Sequence, residues 1–184
     1  MSVPAALKFT YEDYALLPED RRYEVVDGEL LLTPAPTPFH QVVSERIGHL
    51  LGAFLRRTGA GVMFYAPCDV VLSAHDVVQP DIVVVLTDHK AIVGESFIAG
   101  APDLVIEVLS PSTERRDRIA KAKRYSTFGV PEMWLVDPAG KTIEVLVNSK
   151  DGFERWTIFG EGETGRSVVL KSFEFALAPV FRPI

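Results

Sequence analysis

Two apolar runs, PDLVIEVLS (Pro102–Ser110) and EMWLVDP (Glu132–Pro138), are each the length of one strand, and PSTERRDRIAKAKRYSTFGVP (111–131) lies between them. Ser110, Ser112 and Thr113 supply a hydroxyl N-cap with Glu114 close behind, so a helix is predicted to open there and run to about Phe128. Gly129 is placed to stop it, and Pro131 prevents its continuation. A strand, a helix of roughly fifteen residues and a second strand form a βαβ unit, whose strands should run parallel under the helix.

Working outward, YEVVDGELLL (Tyr23–Leu32) reads as a hairpin, because Asp27-Gly28 tolerates the positive φ angles of a tight type I′ turn. Upstream, Thr10 caps a short helix predicted to end near Pro18. Beyond a rigid Pro-rich loop, Phe39, Val42, Val43, Ile47, Leu50, Leu51, Phe54 and Leu55 recur at helical spacing up to Thr58-Gly59. VMFYAP, CDVVLS and QPDIVVVL follow as three β-rich segments, and TDHKAIVGESFIAG reads as an irregular connection. After EMWLVDP, the turn Asp137–Gly140 folds TIEVLVNS back as a hairpin, GFERWTIF extends it, and a small strand with an irregular tail closes the chain.

The 184 residues, 47% of them hydrophobic, fit a single domain over 1–184. No run is apolar enough to span a bilayer and the first residues lack a secretory pattern, so a soluble cytoplasmic protein with no membrane partner is expected. The lone Cys68 excludes an internal disulfide and a Cys-based zinc site, and reads as packing. A net charge of −6 argues against coating nucleic acid nonspecifically, which draws on Lys and Arg neutralising phosphates. Arg21-Arg22, Arg56-Arg57 and the ERRDR run at 114–118 are either local positive patches or solvated charges at element ends.

Two carboxylates interrupt segments built for burial. Asp81 stands at the mouth of QPDIVVV (Gln79–Val85), and Glu107 sits inside PDLVIEVLS. Removing the water from an ionised group costs several kcal/mol or more unless it is paired or holds a metal. A cap or a salt bridge would explain either acid; so would a shared Mg²⁺ site completed by waters and phosphate oxygens. Asp117, Lys121 and Tyr125 are spaced by four and rise along one helical face. Lys121 then either points toward Glu107, where it could position or deprotonate a water, or pairs with Asp117 on a wet surface.

YEVVDGELLLTPAPTPFHQ, QPDIVVV, PDLVIEVLSPST and RRDRIAKAKRYSTFGVPEMWLVDP together resemble the bacterial family of putative restriction endonucleases, once a domain of unknown function, in the PD-(D/E)XK nuclease superfamily. The likeness runs from about Tyr11 to Phe159. It implies an α/β (α+β) restriction-endonuclease-like core, a mixed β-sheet flanked by helices with an added N-terminal hairpin and C-terminal strands, and a metal site at one sheet edge. Asp81 would be the motif aspartate and Glu107 the second acid, with the Val108 carbonyl as a further ligand of Mg²⁺ or Mn²⁺. The position two residues after the second acid is Leu109, not lysine, so Lys121 would be the lysine displaced onto the adjacent helix, with Lys123 as fallback. Glu24 matches a family acid that acts through a water or a second metal. His40-Gln41 matches a further motif, in which His40 contacts phosphate, holds a site carboxylate or simply caps its helix. Asp117 would orient Lys121, and Tyr125 and Trp134 read first as packing residues.

The activity implied is metal-dependent DNA phosphodiester hydrolysis by an endonuclease, with homodimerisation expected because cutting two strands needs two sites. The alternative is a catalytically weak or inactive nuclease-fold module that binds nucleic acid or a protein partner. It is supported by the acidic balance and the displaced lysine, and opposed by the presence of all three polar positions. A metal-dependent hydrolase of small phosphorylated molecules would use the same carboxylates without a basic groove.

Overall fold

Residues 7–18 and 21–184 are described by a computed structural model; the first six residues, read above for a secretory pattern, lie outside it. Thr10 opens α1 (Tyr11–Ala15) with a reciprocal cap: its hydroxyl accepts from Asp13 N at 3.2 Å, and the Asp13 carboxylate accepts from Thr10 N at 2.9 Å. Strands β1 (Tyr23–Val26) and β2 (Glu29–Leu32) form the expected hairpin. Asp27 and Gly28 have φ of 52° and 78°, the left-handed pair that a type I′ turn requires. Helix α2 (Pro38–Thr58) is capped by the Thr37 hydroxyl and ends at left-handed Gly59.

Four strands follow where three were expected: β3 (Gly61–Tyr65), β4 (Val70–Ser73), β5 (Asp76–Val78) and β6 (Ile82–Leu86). The unforeseen β5 has only three residues and runs directly into Gln79-Pro80, too short to show a period of its own. The connection read as irregular contains a 3₁₀ turn, Thr87–Ile92, and the two-residue β7 (Ile98–Ala99). Then come β8 (Leu104–Val108), α3 (Ala122–Thr127), β9 (Glu132–Asp137), β10 (Thr142–Ser149), β11 (Gly152–Gly160), β12 (Thr164–Arg166) and β13 (Glu174–Ala176).

A mixed six-stranded sheet, in the order β11-β10-β9-β8-β6-β3, forms the centre, and β8 and β9 run parallel as the βαβ reading required. A second sheet, β2-β1-β5-β4-β7, contains the N-terminal hairpin, and β12 pairs with β13. Alternation along the central strands assigns the two faces. Ile82, Val84, Leu104 and Ile106 pack with Val43, Ile47 and Leu51 of α2 and with Phe173 and Phe175 of the C-terminal segment. Val83, Val85 and Val105 face the other way, toward Tyr125 of α3 and Val26, Val70 and Val78 of the second sheet. This is a restriction-endonuclease-like core with added strands at both ends. Among the described residues no helix is long and apolar enough to cross a membrane.

The crossover helix departs from the single α-helix expected. Arg116–Lys121 is wound as π-helix, the Ala122 N–H bonding the Asp117 carbonyl five residues back. The hydroxyl N-cap is also replaced. The turn through Pro111 presents the Ser110 carbonyl to the N–H groups of Thr113 and Glu114, while the Ser110 hydroxyl pairs with those of Ser112 and Thr113.

Two buried carboxylates tie the layers. Glu132 accepts from Trp134 Nε1 at 2.5 Å and from the N–H groups of Val168 and Val169 at 2.8 and 2.7 Å, fastening the C-terminal segment to β9. Asp76 accepts both arms of the Arg124 fork at 2.6 Å, the Ser73 hydroxyl at 2.7 Å and Asp27 N at 2.8 Å, locking α3 to the second sheet. Burial opposes the Asp76 charge, but Arg124, Ser73 and the Asp27 amide outweigh it and hold its pKa below the ordinary 3.8. Asp76→Asn is therefore expected to destabilise the protein by about 3 kcal/mol in urea unfolding at neutral pH. Because the folded-state pKa is depressed, the wild-type advantage should be complete above the ordinary 3.8 and fade as pH falls below it.

Candidate active site

Residues directly opposite in an antiparallel ladder share a face. The β6–β8 register pairs Ile82 with Ile106, and extending it one step sets Asp81 against Glu107. The two acids thus meet where β6 begins and β8 ends, at the ends of two interior strands and not along the open lateral edge that β3 occupies. Together with Val108, Lys121, His40 and Glu24 they line a cavity of about 210 Å³.

Asp81 Oδ2 accepts the Val108 N–H at 2.7 Å and lies 3.2 Å from His40 Nε2, which the first turn of α2 delivers. Burial resists the imidazolium, but Asp81 overcomes it and raises the His40 pKa above its ordinary value. Glu107 Oε1 accepts the Tyr125 hydroxyl at 2.7 Å and lies 2.5 Å from Lys121 Nζ. Burial pushes the Glu107 carboxyl well above the usual range; Lys121 opposes this, and Asp117, Asp81 and Glu24 reinforce it.

Lys121 is only 2% exposed. Its Nζ is 2.9 Å from Glu24 Oε1 and 3.7 Å from Asp117 Oδ1, besides Glu107. Burial disfavours the charge, but Glu107, Glu24 and Asp117 prevail and raise the lysine pKa. Of the two readings left open for Lys121, the wet surface pair is corrected: the residue is dry and points at Glu107. Asp117 is buried with it, and its Oδ1 makes no hydrogen bond among the described residues. Lys123, two positions on, is exposed.

Glu24 has little room for a metal of its own. Its Oε1 also accepts Gln79 N at 2.8 Å, and Oε2 lies 3.4 Å from the Thr33 hydroxyl and 3.5 Å from Arg116. Burial opposes the Glu24 charge, but Lys121, the Gln79 amide and Arg116 outweigh it and keep the carboxyl below the usual range. Gln41 stands outside the group: one position past His40, it turns round the helix into solvent and does not line the cavity. Tyr125 does more than pack, since its hydroxyl fixes one Glu107 oxygen.

Three residues that no motif pointed to as site members also line the cavity. Gln79 opens QPDIVVV, yet its backbone N–H holds Glu24 and its amide oxygen accepts Arg22 Nε at 3.0 Å. Arg116 belongs to the ERRDR run, and Arg22 to the first arginine pair. The available signal was the clustering of arginines in an acidic chain, which does not say which of them turn inward.

The donor set suits a hard divalent cation. Asp81 Oδ1 and Glu107 Oε2 make no hydrogen bond among the described residues, since both partners of each acid fall on the other oxygen. Four carboxylates line the cavity against three permanent cations, Arg22, Arg116 and Lys121. Among the described residues no three His, Cys, Asp or Glu side chains gather as a metal cluster. An ion here would therefore rest on two carboxylates, with backbone and solvent oxygens completing its shell, the composition Mg²⁺ favours.

Residues 10–178 match the model of the Uma2 family, described as "Putative restriction endonuclease". Among solved structures, a putative nuclease belonging to DUF820 from Anabaena variabilis ATCC 29413 superposes with a TM-score of 0.79 at 20% identity, over 94% of this chain and 97% of that one. At that identity the likeness speaks for the fold. No curated protein matches the chain. Within the site, Tyr125→Phe keeps the ring packing and removes the donor to Glu107. It is expected to cost about 2 kcal/mol, a typical value for a bond to a charged group, lowering the melting temperature by roughly 4–8 °C in calorimetry.

Proposed function

The chain belongs to the Uma2 family of putative restriction endonucleases, and from that premise we propose that it hydrolyses DNA phosphodiester bonds as a Mg²⁺- or Mn²⁺-dependent endonuclease. The observation that carries this reading is the convergence of Asp81, Glu107 and Lys121 in one cavity, with the amine 2.5 Å from Glu107. A buried array of this kind is expensive to maintain, and apolar residues of similar volume would often be more stable.

In this reading Asp81, Glu107 and the Val108 carbonyl would hold the cation. The bound cation supplies Lewis-acid stabilisation of the charge that builds on the phosphoryl group. The residues of the chain do the rest. The Val108 N–H and His40 hold Asp81 in one rotamer, and Tyr125 does the same for Glu107. Lys121 is fixed from three sides, so its ammonium is pre-oriented to donate to an attacking water or a phosphate oxygen without reorganising. Glu24 serves as the counter-ion that keeps this amine in place, and Asp117 sets it from one turn back. One chain carries one such site, so cleavage of both strands calls for two copies, and a homodimer is the simplest assembly that supplies them.

Nicking of supercoiled plasmid in Mg²⁺ or Mn²⁺ tests the proposal. Asp81→Asn, Glu107→Gln and Lys121→Met should each lower the rate about a hundredfold or more, matching the several kcal/mol such groups contribute, while circular dichroism verifies folding. Equal nicking by all four proteins would assign the activity to a contaminant. A folded wild type that nicks nothing would favour a binding module.

A further inference from the structure

Two pairs of arginines contrast in how their guanidinium groups are filled. Arg124 donates to Asp76 at 2.6 Å through two nitrogens, and Arg118 donates to Glu144 at 2.6 Å and to Glu114 at 2.9 Å. These forks are satisfied, and both residues lie away from the cavity that holds Asp81 and Glu107. Arg116 sits in the wall of that cavity and makes no side-chain hydrogen bond among the described residues. Its NH2 group is 3.5 Å from Glu24 Oε2 and its Nε 3.8 Å from Asp117 Oδ1, and the Nε is buried without a partner. Arg22, in the same wall, uses only Nε among the described residues, toward Gln79.

A guanidinium held mostly out of water with its fork unfilled is costly unless an anion completes it. Carboxylates are the wrong complement here. The cavity already holds four, and the nearest stay beyond good hydrogen-bonding distance from Arg116. The planar fork matches a phosphate equally well, and a phosphate arriving from solvent needs cationic help to enter so acidic a cavity. Glu24 spans the two cations, one oxygen on Lys121 and the other toward Arg116. The Arg116 fork therefore stands one carboxylate away from the amine, and Arg22 follows through Gln79, whose N–H holds the same Glu24.

We infer that Arg116 and Arg22 form a phosphate clamp that grips the backbone of the nucleic-acid strand lying over Asp81 and Glu107. The clamp rests on the DNA reading above and deepens it by naming the groups that position the strand. Both are positioning residues: they hold the backbone in register with Lys121, and contact to phosphate oxygens alone makes the grip independent of base sequence. It also explains how an acidic protein takes an anionic polymer, through two local cations and without an extended basic face.

The test is fluorescence anisotropy of a labelled DNA duplex over a range of KCl concentrations, with Ca²⁺ in place of Mg²⁺ to suppress turnover. Arg116→Ala and Arg22→Ala are each expected to weaken binding about tenfold and to reduce the slope of log K against log salt by about 0.9, the signature of one lost phosphate contact. Arg116→Lys should restore the slope while recovering only part of the affinity. A role confined to pairing with Glu24 would lower the melting temperature and leave the slope untouched. Where Arg116→Ala does not fold, Arg22→Ala carries the test. Folded variants with wild-type slopes overturn the clamp and leave the DNA reading standing, whereas a wild type with no salt-dependent DNA binding overturns both.

Discussion

The ammonium of Lys121 is the charge around which this structure is arranged. It lies in the dry layer between the two sheets, and three carboxylates from three elements close on it: Glu107 from β8, Glu24 from β1 and Asp117 from its own helix. An isolated charge there would be excluded by its desolvation cost, and each acid would be excluded for the same reason. Jointly they are tolerated, so the position of each element depends on the others. The β1 hairpin is drawn over the central sheet because Glu24 must reach the amine, and the helix is seated because its own lysine must reach β8.

The fold surrounding this charge could be read in part from local chemistry. The Asp27-Gly28 turn, the cap at Thr10 and the Gly59 stop follow from rules that act within a few residues, and the parallel β8–β9 pair follows from the single helical crossover that joins the two strands. What escaped the reading is set at longer range. Three residues suffice for β5 because Val77 pairs on one side with nearby Val71 and on the other with Val25, which is distant in the chain. The π-helical turns over Arg116–Lys121 left no mark in the spacing of the residues, which fits an ordinary α-helix equally well. Asp76 and Arg124, 48 residues apart, had no pattern to join them.

The site follows the same division. Asp81 and Glu107 stand out as charges in apolar runs, and the antiparallel register of their strands is enough to bring them face to face. The roles of Gln79, Arg22 and Arg116 depend on which way a polar side chain turns at the rim of a cavity, and an arginine in a charged run looks the same whether it faces solvent or a phosphate. Gln41 illustrates the converse. It adjoins His40 in sequence, but one step along a helix is a rotation of about 100°, and it ends in water.

The Glu132 fastening bears on the order in which this protein can mature. Trp134 of β9 stacks on Phe173 and Phe175, and Phe54 of α2 meets Phe173 edge-on, so the aromatic filling on the α2 side is supplied by residues far down the chain. On a ribosome, every group of the Lys121 cluster has been synthesised some fifty residues before Phe173 and Phe175 are made. Until then α2 covers that side of the central sheet only in part, and the apolar surface left over is the condition in which nascent chains aggregate or recruit chaperones. The polar heart of the molecule is thus synthesised early and enclosed late, when the final aromatic pair arrives.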